Sequence, residues 1–136
     1  MKEAIVASAA TLPQAFADIA LAMLRLGVSI DQSAMKDCEV REVRAHGASL
    51  EALLVRWIEE CQYVQEIEGF ACRAIEFAVF DIEPKAGAEP LRLHALLRGE
   101  TGASGDRDSG TRSVSARDVA IRRVDDGFEI RLVIEG

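Results

Sequence analysis

The side chains able to move protons, attack carbonyls or ligate metals are few in this chain of 136 residues: two histidines, His46 and His94, three cysteines, Cys38, Cys61 and Cys72, and scattered carboxylates. An imidazole is the usual general base at neutral pH, and it works on a nucleophile held beside it. Neither histidine has an evident nucleophilic partner in the sequence. His94, between Leu93 and Ala95 in an alternating run, reads as a partly buried imidazole on a strand, and His46, before Gly47, reads as part of a turn. Ser49 has no Gly-x-Ser-x-Gly elbow around it and stands directly before an apolar-periodic segment, so it reads as a helix cap. Gly99, Gly102 and Gly105 fit neither a dinucleotide fingerprint nor a phosphate loop. The expectation is a protein without catalysis of its own.

The cysteines are odd in number and lack C-x-x-C spacing, and a zinc site would need a histidine to come close in space, so they read as buried free thiols. The acidic run Glu59, Glu60, Glu66 and Glu68 admits two readings. It is a solvated helix face, or, with Asp37, Glu39 and Glu42, an acidic docking patch for a basic partner. Asp106, Asp108 and Asp125-Asp126-Gly127 carry enough oxygen for a cation, but loop and hairpin chemistry accounts for them without one.

These groups sit on a chain with 16 basic and 23 acidic residues, net charge −7 and a pI near 4.9. The excess lies in residues 1–83, with 7 basic and 14 acidic side chains; residues 84–136 hold 9 of each. Such a surface repels phosphates, so direct nucleic-acid binding is not expected and a protein partner is. The composition, 49% hydrophobic and 29% charged, is that of a globular chain, and the length suits one domain over residues 1–136. No apolar run approaches the roughly 18 residues that span a bilayer, and no secretory signal is visible after Met1. A cytoplasmic protein is the expectation.

Two helices must carry much of the core. Leu50, Leu53, Leu54, Trp57, Ile58 and Cys61 recur at helical spacing behind Ser49, and Leu12, Phe16, Ile19, Ala20 and Met23 do so behind Thr11, up to Gly27. Strands are predicted at Ala4 to Ala7, at Cys38 to Ala45 with a phase slip that suggests a bulge, and at Phe70 to Ile82. In the last of these, Ile75, Phe77 and Val79 fall on one face and Ala78, Phe80 and Ile82 on the other, which predicts cover on both sides. Further strands run from Leu91 to Arg98, from Val114 to Val124 and from Phe128 to Ile134, the last two joined by the tight Asp125-Asp126-Gly127 turn. Glu83 to Pro90 and Gly99 to Gly110 read as loops. This order gives an α+β fold: one largely antiparallel sheet with two amphipathic helices on one face.

Several strings, in this order, resemble the archease family: TLPQAFADIALAML (Thr11 to Leu24), SLEALLVRWIEECQYV (Ser49 to Val64), LRLHALLRGE (Leu91 to Glu100) and DDGFEIRLVIE (Asp125 to Glu135). The most distinctive part is Leu53, Leu54, Trp57, Ile58 and Glu59 followed by Tyr63 and Glu66. The resemblance implies a non-catalytic accessory protein of the RtcB-type RNA ligase of tRNA splicing, which promotes guanylylation and turnover of that ligase. It also implies a divalent metal such as calcium, held by one Asp near each chain end.

The sequence departs from the family pattern at those metal positions. Alignment on Thr11-Leu12 puts Lys2 where the first metal-binding Asp would be, with Glu3 beside it and no residues upstream to supply the family's His-Thr-Ala. Glu135 stands at the second position, a carboxylate longer by one methylene. Glu3 and Glu135 are therefore the candidate metal ligands of a degenerate site. The family's Lys-Ala-Val-Thr-Tyr-His string falls on Arg112 to Arg117, and a loop His falls on Arg107, so the Tyr and the His are lost.

Overall fold

A computed structural model gives the fold over residues 2–26, 39–82, 91–101 and 113–135. The order of elements is β1 (Lys2–Ala9), α1 (Leu12–Leu26), β2 (Glu39–Gly47), α2 (Leu50–Glu68), β3 (Phe70–Asp81), β4 (Leu91–Thr101), β5 (Ser113–Val124) and β6 (Gly127–Glu135). The α+β class is as expected, and every strand pairing is antiparallel. The strands form two sheets and not one: β1-β6-β5 and β2-β4-β3. Both helices touch both sheets, so the apolar stripes of α1 and α2 and the inner sides of the two sheets share one core.

Local chemistry starts each helix. Thr11 Oγ1 accepts from Gln14 N at 3.3 Å, and Ser49 Oγ accepts from Ala52 N at 3.1 Å, each satisfying an amide the helix itself leaves bare. The second helix runs seven residues beyond the apolar stripe read from the sequence, because Val64 continues that stripe and the chain leaves at Gly69. Gly69 takes the left-handed conformation, φ 66°, and its N–H donates to the Val64 carbonyl oxygen. The glycine after Glu68 is a C-terminal signal present in the sequence.

The centre of the core is aromatic. Trp57 and Phe16 are fully buried, and burial of side chains this large contributes roughly 1.5–3 kcal/mol each. The Phe80 ring meets Phe16 edge-on at 5.0 Å, and Phe77 lies 5.2 Å from Trp57 and 5.3 Å from Phe80. Phe77 and Phe80 thus point the same way, contrary to the strict alternation expected of β3. The cause is a register shift between Phe77 and Val79: Phe77 pairs with Ala95 and Val79 with His94, which leaves Ala78 outside the ladder and turns Phe80 inward. A second shift lies between Cys72 and Ala74. Val79 goes outward instead of joining Phe77, and Arg73, Ala74, Glu76 and Ala78 are exposed with it, so only one side of β3 is covered.

The bulge expected in β2 is absent. Its pairing with β4 runs without interruption from Glu39↔Gly99 to Gly47↔Leu91, and Val40 is simply an apolar residue on the outer side. The hairpin of β5 and β6 is as expected: Val124 pairs with Gly127 across the two residues Asp125 and Asp126. β3 and β4 are adjacent and antiparallel; the Glu83 to Pro90 connection between them lies outside the described residues. Gly99 and Glu100 belong to β4, not to the following loop. A Cβ on Gly99 would collide with the Ala71 carbonyl oxygen across the ladder, so this close approach of β3 and β4 requires glycine.

Candidate functional site

Three places could carry function, and each follows from how strand pairing or helix packing disposes the residues. The first is the meeting of the chain ends. β1 pairs with β6 so that Lys2 lies opposite Glu135 and Glu3 opposite Ile134. The side chains of Lys2, Glu3 and Glu135 are outside the described residues. A hard divalent cation takes about six to eight oxygen ligands, with carboxylates from more than one segment. The register sets Lys2 against Glu135 and offsets Glu3 by one position. Among the described residues no three His, Cys, Asp or Glu side chains gather as a metal would need.

The second place is the acidic region. Arg41 divides it: its Nε donates to Glu68 Oε1 at 2.9 Å, its Nη2 donates to Thr101 Oγ1 at 2.8 Å, and the guanidinium lies over the Phe70 ring at 5.0 Å. Glu39 accepts from Thr101 N at 2.6 Å and from Thr101 Oγ1 at 3.1 Å. Those hydrogen bonds, backbone first, lower the Glu39 pKa, with a smaller contribution from Arg41. Glu60 pairs with Arg56 at 3.0 Å, and Glu42 lies against His94. The seven carboxylates grouped by the sequence therefore do not form one patch; Glu39 and Glu68 are joined through Arg41, and Asp37 is outside the described residues. What remains is a stripe along α2 at helical spacing: Glu59, Tyr63, Glu66 and Ile67, all exposed, with Tyr63 at 56% and Ile67 at 65%.

The third place was missed in the sequence. His46 lies within β2 and not in a turn, and both histidines project from the outer side of the β2-β4-β3 sheet. Arg44 pairs with His94, and His46 pairs with Arg92; on the far side of β4, Val79 meets His94 and Asp81 meets Arg92. Arg44, His46, Val79, Arg92 and His94 line a depression of about 460 Å³. His94 Nε2 lies 3.3 Å from Glu42 Oε1 but is not aligned for a hydrogen bond, and Arg92 Nε lies 3.8 Å from Asp81 Oδ2. The alternation Arg44-x-His46 and Arg92-x-His94 was visible; that the two runs pair was not.

The cysteines are buried thiols, as expected, where described. Cys61 and Cys72 both lie in the core, the Cys72 thiol donates to the Ala74 carbonyl oxygen at 3.4 Å, and burial pushes the Cys61 thiol well above its ordinary pKa. Cys38, Asp106, Asp108 and Arg107 lie outside the described residues.

The sequence profile of the Archease protein family (MTH1598/TM1083) matches residues 4–135. The chain belongs to the archease family. It is 32% identical over 87 residues to the protein archease of Pyrococcus abyssi, covering 60% of each chain. It is 27% identical over 125 residues to that of Methanosarcina barkeri, covering 92% of this chain and 83% of the relative. Its fold is similar to the solution structure of Methanobacterium thermoautotrophicum protein 1598, with a TM-score of 0.68 at 19% identity, over 99% of this chain and 91% of that one. In this archease the Leu53, Leu54, Trp57 and Ile58 string is fully buried core, so the most distinctive resemblance specifies packing, whereas Tyr63 and Glu66 lie on the surface.

Proposed function

We propose that this archease is a non-catalytic accessory protein of an RtcB-type RNA ligase in tRNA splicing, and that it promotes guanylylation and turnover of the ligase from a cytoplasmic location. The observation that carries this reading is the family match over residues 4–135. The α2 stripe supports it. Glu59 and Glu66 flank exposed Tyr63 and Ile67, and a carboxylate-edged apolar stripe complements a ligase surface that is basic because it binds RNA. Docking through protein also agrees with a net charge of −7, which repels RNA itself.

The decisive measurement is guanylylation of the source organism's ligase with and without this protein at substoichiometric amounts. Faster, multiple-turnover guanylylation is the expected result; an unchanged rate leaves an archease-like interaction domain without ligase function. The Lys2–Glu135 register favours a metal-independent mode of action in either case. Calcium, magnesium and manganese are then expected to leave Tm unchanged. A saturable rise, worth about 2.7 kcal/mol at a hundredfold excess over Kd, would restore the metal.

A further inference from the structure

The chain has two histidines, and pairing of β2 with β4 brings both into one depression with Arg44 and Arg92. Core packing does not demand this. Val43, Ala45, Leu93 and Ala95 point inward and are buried, while the alternate residues face outward. Arg44 and Arg92 carry permanent charge and a planar fork of donors that matches phosphate oxygens, and the imidazoles add donors and charge when protonated. The depression, about 460 Å³, is of small-molecule size, larger than a bare anion needs, and Val79, 40% exposed, gives it an apolar wall. Glu42 from β2 and Asp81 from β3 border it, and their contacts at 3.3 Å to His94 and 3.8 Å to Arg92 offset part of the positive charge near neutral pH.

From this geometry we infer that the depression binds the phosphate group of a small phosphorylated organic molecule, with Arg44, Arg92 and His46 as its donors and Val79 against the organic part. A nucleic-acid strand is disfavoured as occupant because the chain as a whole carries −7.

Heteronuclear NMR titration of the full chain tests this with ribose 5-phosphate, ribose, inorganic phosphate, sulfate and a short single-stranded RNA. Ribose 5-phosphate is expected to shift the amides of residues 44, 46, 92 and 94 saturably and to bind more tightly than inorganic phosphate, while ribose gives no shift. Arg44→Ala and Arg92→Ala each weaken binding about tenfold or more, the equivalent of one charge-assisted hydrogen bond, whereas Arg98→Ala, on the same face outside the depression, leaves it unchanged. His46→Gln also weakens the binding of sulfate. Unliganded spectra of the variants establish that they are folded. No binding, equal affinity for inorganic phosphate, tighter binding of the RNA, or an affinity indifferent to both arginine variants overturns the proposal.

Discussion

The indole Nε1 of Trp57 on α2 donates to the main-chain carbonyl oxygen of Phe16 on α1 at 3.0 Å, with both side chains fully buried. This bond ties the two helices at the centre of the core. Trp57→Phe removes the donor and part of the ring, and is expected to destabilise by about 1–3 kcal/mol. Trp57→Ala adds a cavity and is expected to cost about 3–5 kcal/mol. Urea denaturation, read as the shift in midpoint at constant slope, measures both.

Gly99→Ala places a methyl group on the Ala71 carbonyl oxygen, and neither main chain can move without opening the β3–β4 ladder. The expected loss is roughly 1–3 kcal/mol, the cost of overpacking. Thermal unfolding of the variant should show a lower Tm; an unchanged Tm would mean that β3 does not approach β4 this closely.

Glu39 gives the fold an acid dependence. Hydrogen bonds from the main chain and side chain of Thr101 favour its ionised form and lower its pKa in the folded state. A depressed folded pKa contributes stability that is fully present above the unfolded value, about 4.3 for glutamate, and is lost as pH falls through the folded one. Glu39→Gln should therefore lower Tm at pH 7, and the gap from the parent should close as pH falls below that range. A gap constant with pH would contradict the assignment.

Cys61 and Cys72 should resist alkylation in the native protein, since both thiols are buried and burial holds Cys61 in its neutral form. Peptide mapping after iodoacetamide treatment at mildly alkaline pH is expected to show both modified only when denaturant is present. Labelling under native conditions would expose a local opening between α2 and β3.

Tyr63→Ala and Ile67→Ser change exposed side chains and should alter stability by no more than about 0.5 kcal/mol. The same pair should abolish most of the stimulation of ligase guanylylation, measured beside an unchanged urea midpoint. Full stimulation by the double variant would remove the α2 stripe from the docking surface.

The sequence by itself determined what neighbouring residues settle among themselves. Thr11 and Ser49 cap the helices, Leu53, Leu54, Trp57 and Ile58 define a buried stripe, and Asp125-Asp126-Gly127 turns the last hairpin, because capping, helical period and turn conformation act within a few residues. The end of α2 at Gly69 was equally local, and its signal lay in the glycine itself. Tertiary structure alone decided the rest. The partition of six strands into two sheets, the shift that turns Phe77 and Phe80 to the same side, the meeting of Lys2 with Glu135, and the pairing of Arg44 and His46 with His94 and Arg92 all depend on register between distant segments. Register is fixed by the fit of whole strands to a shared core, and a shift of one residue sends a side chain to the opposite face.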